Sequence, residues 1–246
     1  MAYPQKSAVV TGASSGIGAA TARKLANDGF HVYALARRAD RLAELAKEIG
    51  GTAVTCDITS DTDVAAFASS VDRVDLLVNN AGGAHGSEYV ADAKIDDWQW
   101  MFDVNVLGTL RVTKALLPKM DHGGAVITIS STAGLVVYEG GGGYTAAKHA
   151  QTALVETLRL ELCGKPIRVM EIDPGMVKTD EFALNRFGGD SSKAESVYAG
   201  VAEPLVAEDI AECVSWCAGL PAHVNIDRMV VRPVAQAAQH KVHRVP

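Results

Sequence analysis

Hydrophobic residues fall into short apolar runs separated by longer amphipathic stretches. The apolar runs predict strands at residues 8–11, 31–36, 52–56, 76–79, 125–130, 167–172 and 229–232. The amphipathic stretches, with apolar side chains at helical spacing, predict helices at residues 17–28, 40–49, 63–69, 98–117, 145–162 and 208–218. Most strands are continuous apolar runs, which indicates burial on both faces of a parallel sheet. The alternating order therefore predicts a doubly wound, Rossmann-type α/β fold with a seven-stranded parallel sheet and helices on both faces.

The chain is expected to form one domain, because no linker, repeat or low-complexity stretch divides its 246 residues. Residues 180–203 break the strand–helix rhythm, since they are polar and contain Gly188-Gly189. Their composition leaves two interpretations open, a lid over a bound ligand and a mobile surface loop. The glycine run at 140–143 predicts a loop that gives close access to a site.

The charge and cysteine content narrow the class of protein. A net charge of −6 and a pI near 5.6 argue against nucleic acid or an anionic membrane as the main partner. The chain shows no secretory pattern at its start and no apolar run of membrane-spanning length, so a cytoplasmic protein is expected. The cysteines, at Cys56, Cys163, Cys213 and Cys217, form no CxxC pair and lack nearby histidines. They are therefore predicted to be buried, reduced thiols, with no metal site.

A glycine-rich segment, residues 11–18, follows the first predicted strand and opens the first helix. Glycines there permit a tight turn and let the backbone approach a pyrophosphate, which then faces the free N–H groups of the helix. The spacing is Gly-x3-Gly-x-Gly rather than the usual Gly-x-Gly-x2-Gly, so the strand–loop–helix placement is the stronger signal. A glycine turn without a ligand is the alternative. The cofactor contacts predicted in this segment are Gly12, Ser14, Ser15, Gly16, Ile17 and Gly18.

The second predicted strand ends at Arg37 and Arg38. NAD sites usually place an acidic residue at this point to hold the ribose 2′-hydroxyl, whereas guanidinium groups suit a 2′-phosphate. This favours NADP(H) as the cofactor. The alternative is that both arginines are solvent-exposed residues at a helix start.

The next two strand ends also carry candidate cofactor contacts. Asp57 could accept a hydrogen bond from the adenine amine, with Ile58 beside it, or it could form a turn or helix cap. The segment Asn79-Asn80-Ala81-Gly82 ends the fourth strand, at the edge where such sheets bind ligands. We expect Asn79, Ala81 and Gly82 to brace the sheet and border the cofactor ribose.

Tyr144 and Lys148 are spaced one helical turn apart, so both side chains project from one helix face. A phenol has a reference pKa of about 10, and a neighbouring ammonium group favours its ionised form. The pair therefore predicts a tuned acid/base, although the same spacing also occurs by chance on many helices.

These motifs, in this order, resemble the short-chain dehydrogenase/reductase family over essentially the whole chain. The resemblance rests on residues 11–18, Asp57, residues 79–82, Asn105, Ser131, Tyr144, Lys148 and Asp173-Pro174-Gly175. The spacing found in that family selects Ser131 rather than Ser130 as the catalytic serine, since Ser131 lies thirteen residues before the tyrosine. Ser130 is interpreted as a structural residue at the end of the strand.

The resemblance implies a hydride transfer between a nicotinamide and a substrate carbinol or carbonyl carbon. In that scheme Tyr144 transfers the hydroxyl proton, and Ser131 hydrogen-bonds the same oxygen. Lys148 lowers the pKa of Tyr144 and binds the nicotinamide ribose, and Asn105 supports a water that connects Lys148 to solvent. The segment after the sixth strand borders the nicotinamide, and its implied cofactor contacts are Pro174, Gly175, Val177 and Thr179.

Segments outside the shared motifs resemble a subgroup, the NADP-dependent 3-hydroxy acid dehydrogenases acting on serine, allo-threonine or malonic semialdehyde. They are Glu181-Phe182, Arg186-Phe187, Gly189-Asp190, residues 220–226 and Pro233-Val234. Arg186 is the candidate clamp for a substrate carboxylate, because guanidinium binds carboxylate in a bidentate manner. A surface arginine or an interface ion pair is the alternative.

Two segments, residues 178–180 and 83–86, differ from the subgroup pattern. His85, in the second segment, is interpreted as a loop histidine in solvent rather than a substrate contact. An NADPH-dependent carbonyl or ketone reductase of broader or uncharged substrates is the alternative function. A catalytically silent dinucleotide sensor ranks below both, because the acid/base set is complete.

The resemblance also implies a homo-oligomer, with a tetramer favoured over a dimer, through the helices at 98–117 and 145–162. Apolar positions on both helices are compatible with that contact, but they fit core packing equally well. The segment 220–246 begins with apolar residues and is a second candidate for reaching across an interface.

Overall fold

The computed structural model describes residues 5–245 and confirms the seven-stranded parallel sheet. Its strands are β1 (Ser7–Thr11), β2 (His31–Ala36), β3 (Thr52–Thr55), β4 (Leu76–Asn79), β5 (Gly124–Ile129), β6 (Ile167–Pro174) and β7 (Arg228–Val231). They are ordered β3-β2-β1-β4-β5-β6-β7 across the sheet. The crossover from β3 to β4 places β4 against β1, and the carboxyl ends of this pair form the point where such sheets bind ligands.

Helices cover both faces of the sheet. They are α1 (Gly16–Asn27), α2 (Ala39–Ile49), α3 (Asp61–Ser70), α4 (Ile95–Phe102), α5 (Gly108–Leu116), α6 (Gly142–Glu161), α7 (Phe182–Arg186), α8 (Ser191–Ser196) and α9 (Ala207–Gly219). One core joins α1, α2 and α9 to the sheet through side chains such as Leu25, Leu42 and Ile210. A second core, on the opposite face, joins α3 and α5 through Phe67 and Leu116. The two cores bury the continuous apolar strands on both sides, as their sequence predicts.

The segment predicted as one helix at 98–117 is helical without a break from residue 95 to 116, but a π-helical turn, Asp103–Leu107, joins α4 to α5. The Asn105 amide Nδ2 donates to the Met101 carbonyl at 2.7 Å. That carbonyl lies four residues earlier and is the acceptor that a regular α-helix would give to the Asn105 backbone N–H. A side chain that takes this acceptor widens the turn, and such π turns recur at functional sites.

The glycine run at 140–143 is only partly a loop. Helix α6 begins at Gly142, so Gly142 and Gly143 belong to its first turn, directly before Tyr144. A Cβ on Gly143 would lie 2.4 Å from Met101 Cε and 3.0 Å from Trp98 Cδ1. Glycine therefore lets the start of α6 approach α4 closely.

The segment 180–203 contains α7 and α8, and the chain then closes with a small antiparallel pair, β8 (Gln236–Ala238) and β9 (Lys241–Val242), that the sequence pattern did not predict. The end of the chain packs on its own 180–203 segment. Arg244 donates to the carbonyl oxygens of Val197 and Ala199, and the Val245 N–H donates to Gly200 at 2.7 Å. In this chain the tail thus finds partners without a second subunit.

The cysteines differ in their exposure to solvent. Cys56 and Cys217 are buried as expected, but Cys163 is exposed in the turn after α6 and Cys213 is only half-buried, so the expectation that all the thiols are buried is wrong for these two. Among the helices of residues 5–245, none is long and apolar enough to cross a membrane.

Candidate active site

The glycine-rich loop lies at the junction of β1 and β4. Gly12 and Gly16 have φ values of 67° and 51°, a left-handed conformation that favours glycine. A Cβ on Gly12 would lie 2.9 Å from the Ala81 Cα, and one on Gly18 would lie 2.4 Å from the Gly12 carbonyl oxygen. The Ser15 side chain does not cap α1, which leaves the first N–H groups of this helix without a side-chain cap, an arrangement that suits an anion.

The end of β4 is tied to this loop. The Thr11 hydroxyl accepts the N–H groups of Asn80 and Ala81, both at 3.0 Å, and the Asn80 amide donates to the Thr11 carbonyl at 2.9 Å. The Asn79 amide donates to the Thr113 hydroxyl of α5 at 2.8 Å. Asn79 therefore braces the sheet, as expected, while Asn80 holds the loop.

The two predicted 2′-phosphate arginines differ in their surroundings. Arg37 is exposed, whereas Arg38 is half-buried and hydrogen-bonds the hydroxyls of Ser14 and Ser15. Arg38 also pairs with Glu181, a residue 143 positions later that sequence reasoning did not connect to this site. The structure thus brings Arg38, but not Arg37, onto the phosphate loop.

Asp57 acts as a turn residue in this structure. Its Oδ1 accepts the Thr59 backbone N–H at 2.9 Å and the Thr59 hydroxyl at 2.8 Å. Burial raises the pKa of this carboxyl, but the Thr59 hydrogen bonds and the charge of Arg37 outweigh that effect and hold the pKa below its usual value. Ile58 is buried against Gly108, and the adenine contact stays a prediction.

The segment after β6 lies beside the phosphate loop. A Cβ on Gly16 would lie 3.4 Å from Thr179 Cγ2, which places this threonine against the loop. The Met176 N–H donates to the Gln236 side chain at 2.9 Å, and the Gly175 N–H donates to Val231 at 2.7 Å. Gln236 fixes this segment and was not predicted from the sequence.

Tyr144 lies on the buried face of α6, under the side chains of α7. The Phe182 ring contacts it edge-on, with ring centroids 5.8 Å apart, and the Arg186 guanidinium lies 6.0 Å from its centroid. Burial raises the pKa of Tyr144 above its ordinary value, and Tyr138 adds to this. The Ser131 hydroxyl and the Arg186 charge lower the pKa of Tyr144, but they do not outweigh burial. The net direction is opposite to the one expected from Lys148, because desolvation dominates here.

Lys148 is buried and held by two acceptors. Its Nζ donates to the Ile129 carbonyl at 3.2 Å and to the Gln151 Oε1 at 2.8 Å, and it lies 5.8 Å from the Tyr144 ring centroid. Burial lowers the pKa of Lys148 to about 8, although Asp173 and Glu171 oppose this. The ammonium group can therefore lose its proton near neutral pH.

Gln151 connects Lys148 to the π turn. Its Nε2 donates to the Asn105 carbonyl at 2.8 Å and to the Thr109 hydroxyl at 2.9 Å, while its Oε1 accepts from Lys148. The side chain is fully buried. Sequence reasoning missed this residue, although its position one turn after Lys148 was a usable signal.

Asn105 reaches the loop after β4. Its amide donates to the Gly83 carbonyl at 2.9 Å, and its Oδ1 accepts the Gly83 N–H at 3.2 Å. A Cβ on Gly82 would lie 2.5 Å from Asn105 Oδ1 and 3.7 Å from Lys148 Nζ, so Gly82 permits this approach. The structure therefore brings Asn105, Gly82 and Lys148 together.

The two adjacent serines have different environments. Ser130 is buried, with its hydroxyl 3.5 Å from the Thr152 hydroxyl, and contributes to packing. Ser131 is half-buried, and its hydroxyl accepts the Ala133 N–H at 3.1 Å and donates weakly to the Pro174 carbonyl at 3.4 Å. The Ser131 hydroxyl is also the one that influences Tyr144, which agrees with the choice made from spacing.

Two buried carboxylates of β6 lie behind this site. Glu171 accepts from the Thr152 hydroxyl at 2.5 Å and from Arg228 at 3.1 Å, and Asp173 Oδ2 lies 3.3 Å from Arg228 Nε. Burial and the Glu171 charge raise the pKa of Asp173 to about 7, although Arg228 and Lys148 lower it. Asp173 was singled out in the sequence only as part of the Asp173-Pro174-Gly175 motif, and nothing there indicated its pairing with Glu171.

A cleft lies between α4, the start of α6 and α7, lined by His85, Trp98, Tyr144 and Arg186 among others. Arg186 donates to the Gly86 carbonyl at 3.1 Å, the Gly140 carbonyl at 3.1 Å and the Tyr138 hydroxyl at 3.0 Å. A guanidinium has five N–H groups, so one remains on each terminal nitrogen.

His85 lies in a loop, as interpreted from the sequence, but its side chain is only 36% exposed and does not stand free in solvent. Its ring stacks on Trp100, with centroids 3.8 Å apart and an angle of 5° between the planes. Its Nδ1 lies 3.3 Å from Asp97. The side chain forms part of the cleft wall. Within residues 5–245, no group of three or more His, Cys, Asp or Glu side chains is arranged to hold a metal.

Comparison with known proteins identifies the family. The short chain dehydrogenase family profile matches residues 6–186. An oxidoreductase of Mycobacterium tuberculosis, named as uncharacterized, is 60% identical over 233 residues, covering 94% of this chain and 92% of that protein. The serine 3-dehydrogenase of Agrobacterium fabrum is 39% identical, covering 96% of this chain and 97% of that protein.

A third relative, the NADP-dependent 3-hydroxy acid dehydrogenase of Shigella flexneri, is 39% identical, covering 96% of this chain and 98% of that protein. A solved structure of the closed form of serine dehydrogenase complexed with NADP+ superposes with a TM-score of 0.91 at 38% identity, covering 97% of this chain and 99% of that one. The resemblance seen in the sequence is confirmed: the chain belongs to the short-chain dehydrogenase family and is an oxidoreductase.

Proposed function

We propose that this enzyme transfers a hydride between NADP(H) and the hydroxyl or carbonyl carbon of a small 3-hydroxy acid, such as serine, allo-threonine or 3-hydroxypropionate. The observation that carries the proposal is Arg186, whose guanidinium lines the cleft beside the Tyr144 ring. The serine and 3-hydroxy acid dehydrogenases among its relatives support the same substrate class.

The donor groups around the phosphate loop fit an NADP(H) cofactor. The uncapped start of α1 suits a pyrophosphate, and the guanidinium of Arg38 beside Ser14 and Ser15 suits a 2′-phosphate. The bound cofactor would supply the nicotinamide that gives or takes the hydride. Gly82, Lys148 and the 174–179 segment are the proposed neighbours of its ribose and nicotinamide ends.

Tyr144 is the proposed acid/base. Because burial keeps its phenol protonated, Tyr144 is suited to donate a proton to a substrate carbonyl oxygen during reduction. Ser131 would hydrogen-bond the same oxygen and fix its position. Lys148, held by Gln151 and Ile129, would return a proton to Tyr144 near neutral pH.

Arg186 is the proposed substrate clamp, and the 180–203 segment that carries it is the proposed lid. Three of its N–H groups fix the guanidinium to Gly86, Gly140 and Tyr138. The two remaining N–H groups can bind the oxygens of a substrate carboxylate. Phe182, on the same helix, covers Tyr144 from solvent.

A homotetramer stays a prediction. A shallow apolar hollow between α4 and α6, lined by Trp98, Phe102 and Ala146, is compatible with it.

The test is a panel of alcohols with and without a carboxylate, assayed by NADP(H) absorbance. Arg186→Ala removes a charge-assisted contact to the substrate carboxylate that is worth about 1.5–3 kcal/mol. This variant should therefore lower kcat/KM for serine and 3-hydroxypropionate roughly 10- to 100-fold. The loss for neutral alcohols should be smaller, because they lose only the effect of Arg186 on Tyr144 and on the cleft wall. Arg23→Ala, at an exposed ion pair with Glu48, is the control and should behave as wild type.

Equal wild-type activity toward uncharged ketones would favour the broader carbonyl reductase instead. Tyr144→Phe distinguishes both of these enzymes from a silent dinucleotide-binding protein. In either enzyme this variant should lower turnover about 10²–10⁴-fold, because that is what general acid catalysis contributes. Turnover that is unchanged in this variant, with every good substrate, would contradict the proposed mechanism.

A further inference from the structure

The start of α7 is attached to the cofactor side of the site by one carboxylate. Both Glu181 oxygens accept from Arg38 Nη1 at 2.8 Å, and Glu181 Oε1 also accepts from Arg41 Nη1. Glu181 is the residue immediately before α7. The contact therefore joins the proposed lid to the arginines that follow β2.

Every nitrogen of the Arg38 guanidinium already has a partner. Its Nε and Nη2 donate to the Ser14 hydroxyl at 3.1 and 2.9 Å, Nη2 also donates to Ser15 at 2.8 Å, and Nη1 donates to Glu181. These contacts engage all three nitrogens of the guanidinium, and the Glu181 carboxylate covers its Nη1 side. A phosphate monoester that binds Arg38 from this side therefore has to displace Glu181.

Glu181 is the partner that a phosphate replaces most readily. Ser14 and Ser15 belong to the phosphate loop and are fixed by its backbone, whereas Glu181 belongs to a separate segment. The side chains of Arg38 and Arg41 are 39% and 46% exposed, so an incoming anion can reach both. A phosphate monoester carries about −1.5 to −2 charges at neutral pH, against −1 for a carboxylate.

We propose that Glu181 and the cofactor 2′-phosphate compete for the guanidinium groups of Arg38 and Arg41. This rests on the proposed use of NADP(H). Glu181 occupies the phosphate position when the ligand carries a 2′-hydroxyl, and it leaves when the ligand carries a 2′-phosphate. Arg41, which the sequence pattern did not single out, is the second cation of the site.

The exchange occurs next to the catalytic groups. Helix α7 begins one residue after Glu181, and its Phe182 and Arg186 both lie within 6.0 Å of Tyr144, measured between ring centroids or from the guanidinium carbon. The group at the 2′ position of the cofactor ribose thus acts, through one short helix, on the side chains that line the substrate side of the cleft.

The experiment measures binding of adenosine 2′,5′-bisphosphate and 5′-AMP by isothermal titration calorimetry. Glu181→Gln keeps the shape but removes the competing charge. It should tighten the bisphosphate about 5- to 10-fold and leave 5′-AMP unchanged, the effect of about one ordinary hydrogen bond. Arg41→Ala should weaken the bisphosphate by about the same factor.

Glu48→Gln is the matched control, because Glu48 also pairs with an arginine through two hydrogen bonds, to Arg23, but lies away from the phosphate loop. It should change neither affinity. If Glu181→Gln weakens the bisphosphate or leaves its affinity unchanged, Glu181 is not a competitor and the inference is overturned. If wild type does not prefer the bisphosphate over 5′-AMP, the proposed NADP(H) dependence fails instead.

Discussion

Gln151 shows how one side chain can set the state of Lys148. Its amide accepts from the ammonium group and donates to the Asn105 carbonyl, both at 2.8 Å. An amide oxygen favours the charged form of lysine, while burial disfavours it. Because burial lowers the pKa of Lys148 to about 8, the contribution of Gln151 acts in the pH range where the enzyme would work.

Gln151→Leu should lower kcat/KM roughly 10- to 100-fold, since a buried hydrogen bond to a charged group is worth about 1.5–3 kcal/mol. Removing the acceptor lowers the pKa of Lys148 further, so the high-pH limb of the reductive rate profile should move to lower pH. Gln151→Glu adds a carboxylate and should move that limb to higher pH. Gln5→Leu, at an exposed glutamine, is the control. Limbs that move in the same direction in both variants would indicate a packing role only.

The grouping of the proposed catalytic residues could be predicted from the sequence because their spacing is local or fixed by strand ends. Tyr144 and Lys148 share one helix, and Ser131 follows one strand. The partners of these residues could not be predicted, because they depend on how elements pack. Gln151 reaches a carbonyl on the π turn, and Glu181 meets Arg38 across 143 positions.

At the level of elements, the close contact of α4 with α6 sets the position of Tyr144. Gly143 makes this contact, because a Cβ there would meet Met101 and Trp98. The sequence predicted two regular helices and a glycine loop. It could not predict the π turn, since the cause is a hydrogen bond from Asn105 to Met101 rather than a proline or glycine.

Gly143→Ala should lower both stability and kcat. Alanine is favoured over glycine within a helix by roughly 0.5–1 kcal/mol, but overpacking typically costs about 1–3 kcal/mol. The clash should win, because the Trp98 ring is rigid and lies at 3.0 Å. Gly219→Ala is the control, since a Cβ at Gly219 meets nothing within 4 Å. Thermal melts and steady-state rates check both variants, and a Gly143→Ala protein as stable and active as wild type would contradict the packing argument.

Over the whole molecule, the pH dependence of stability depends on groups that folding removes from water. Asp173 is fully buried on β6, with Glu171, Arg228 and Lys148 around it. Its pKa is about 7 in the folded protein, against an ordinary value of 3.8. The pKa of Lys148 changes in the opposite direction, from 10.5 to about 8, so this residue affects the free energy of unfolding at higher pH.

The direction in which the free energy of unfolding changes with pH follows from proton binding by the two states. Between pH 4 and 7 the folded Asp173 retains a proton that the unfolded chain has released, so the free energy of unfolding should fall as the pH rises. Each pKa unit corresponds to about 1.4 kcal/mol, which allows a change of about 2–4 kcal/mol across this window. Lys148 contributes a constant penalty below pH 8 and adds stability only above it.

Asp173→Asn should therefore abolish most of the fall in stability between pH 5 and pH 8, measured by urea unfolding at both values. Asparagine keeps the shape of the side chain and carries no charge that burial could penalise. Asp121→Asn, at a side chain that is 88% exposed, should keep the wild-type pH dependence. If Asp173→Asn shows the same fall as wild type, burial of the Asp173 carboxyl is not the source of the pH dependence.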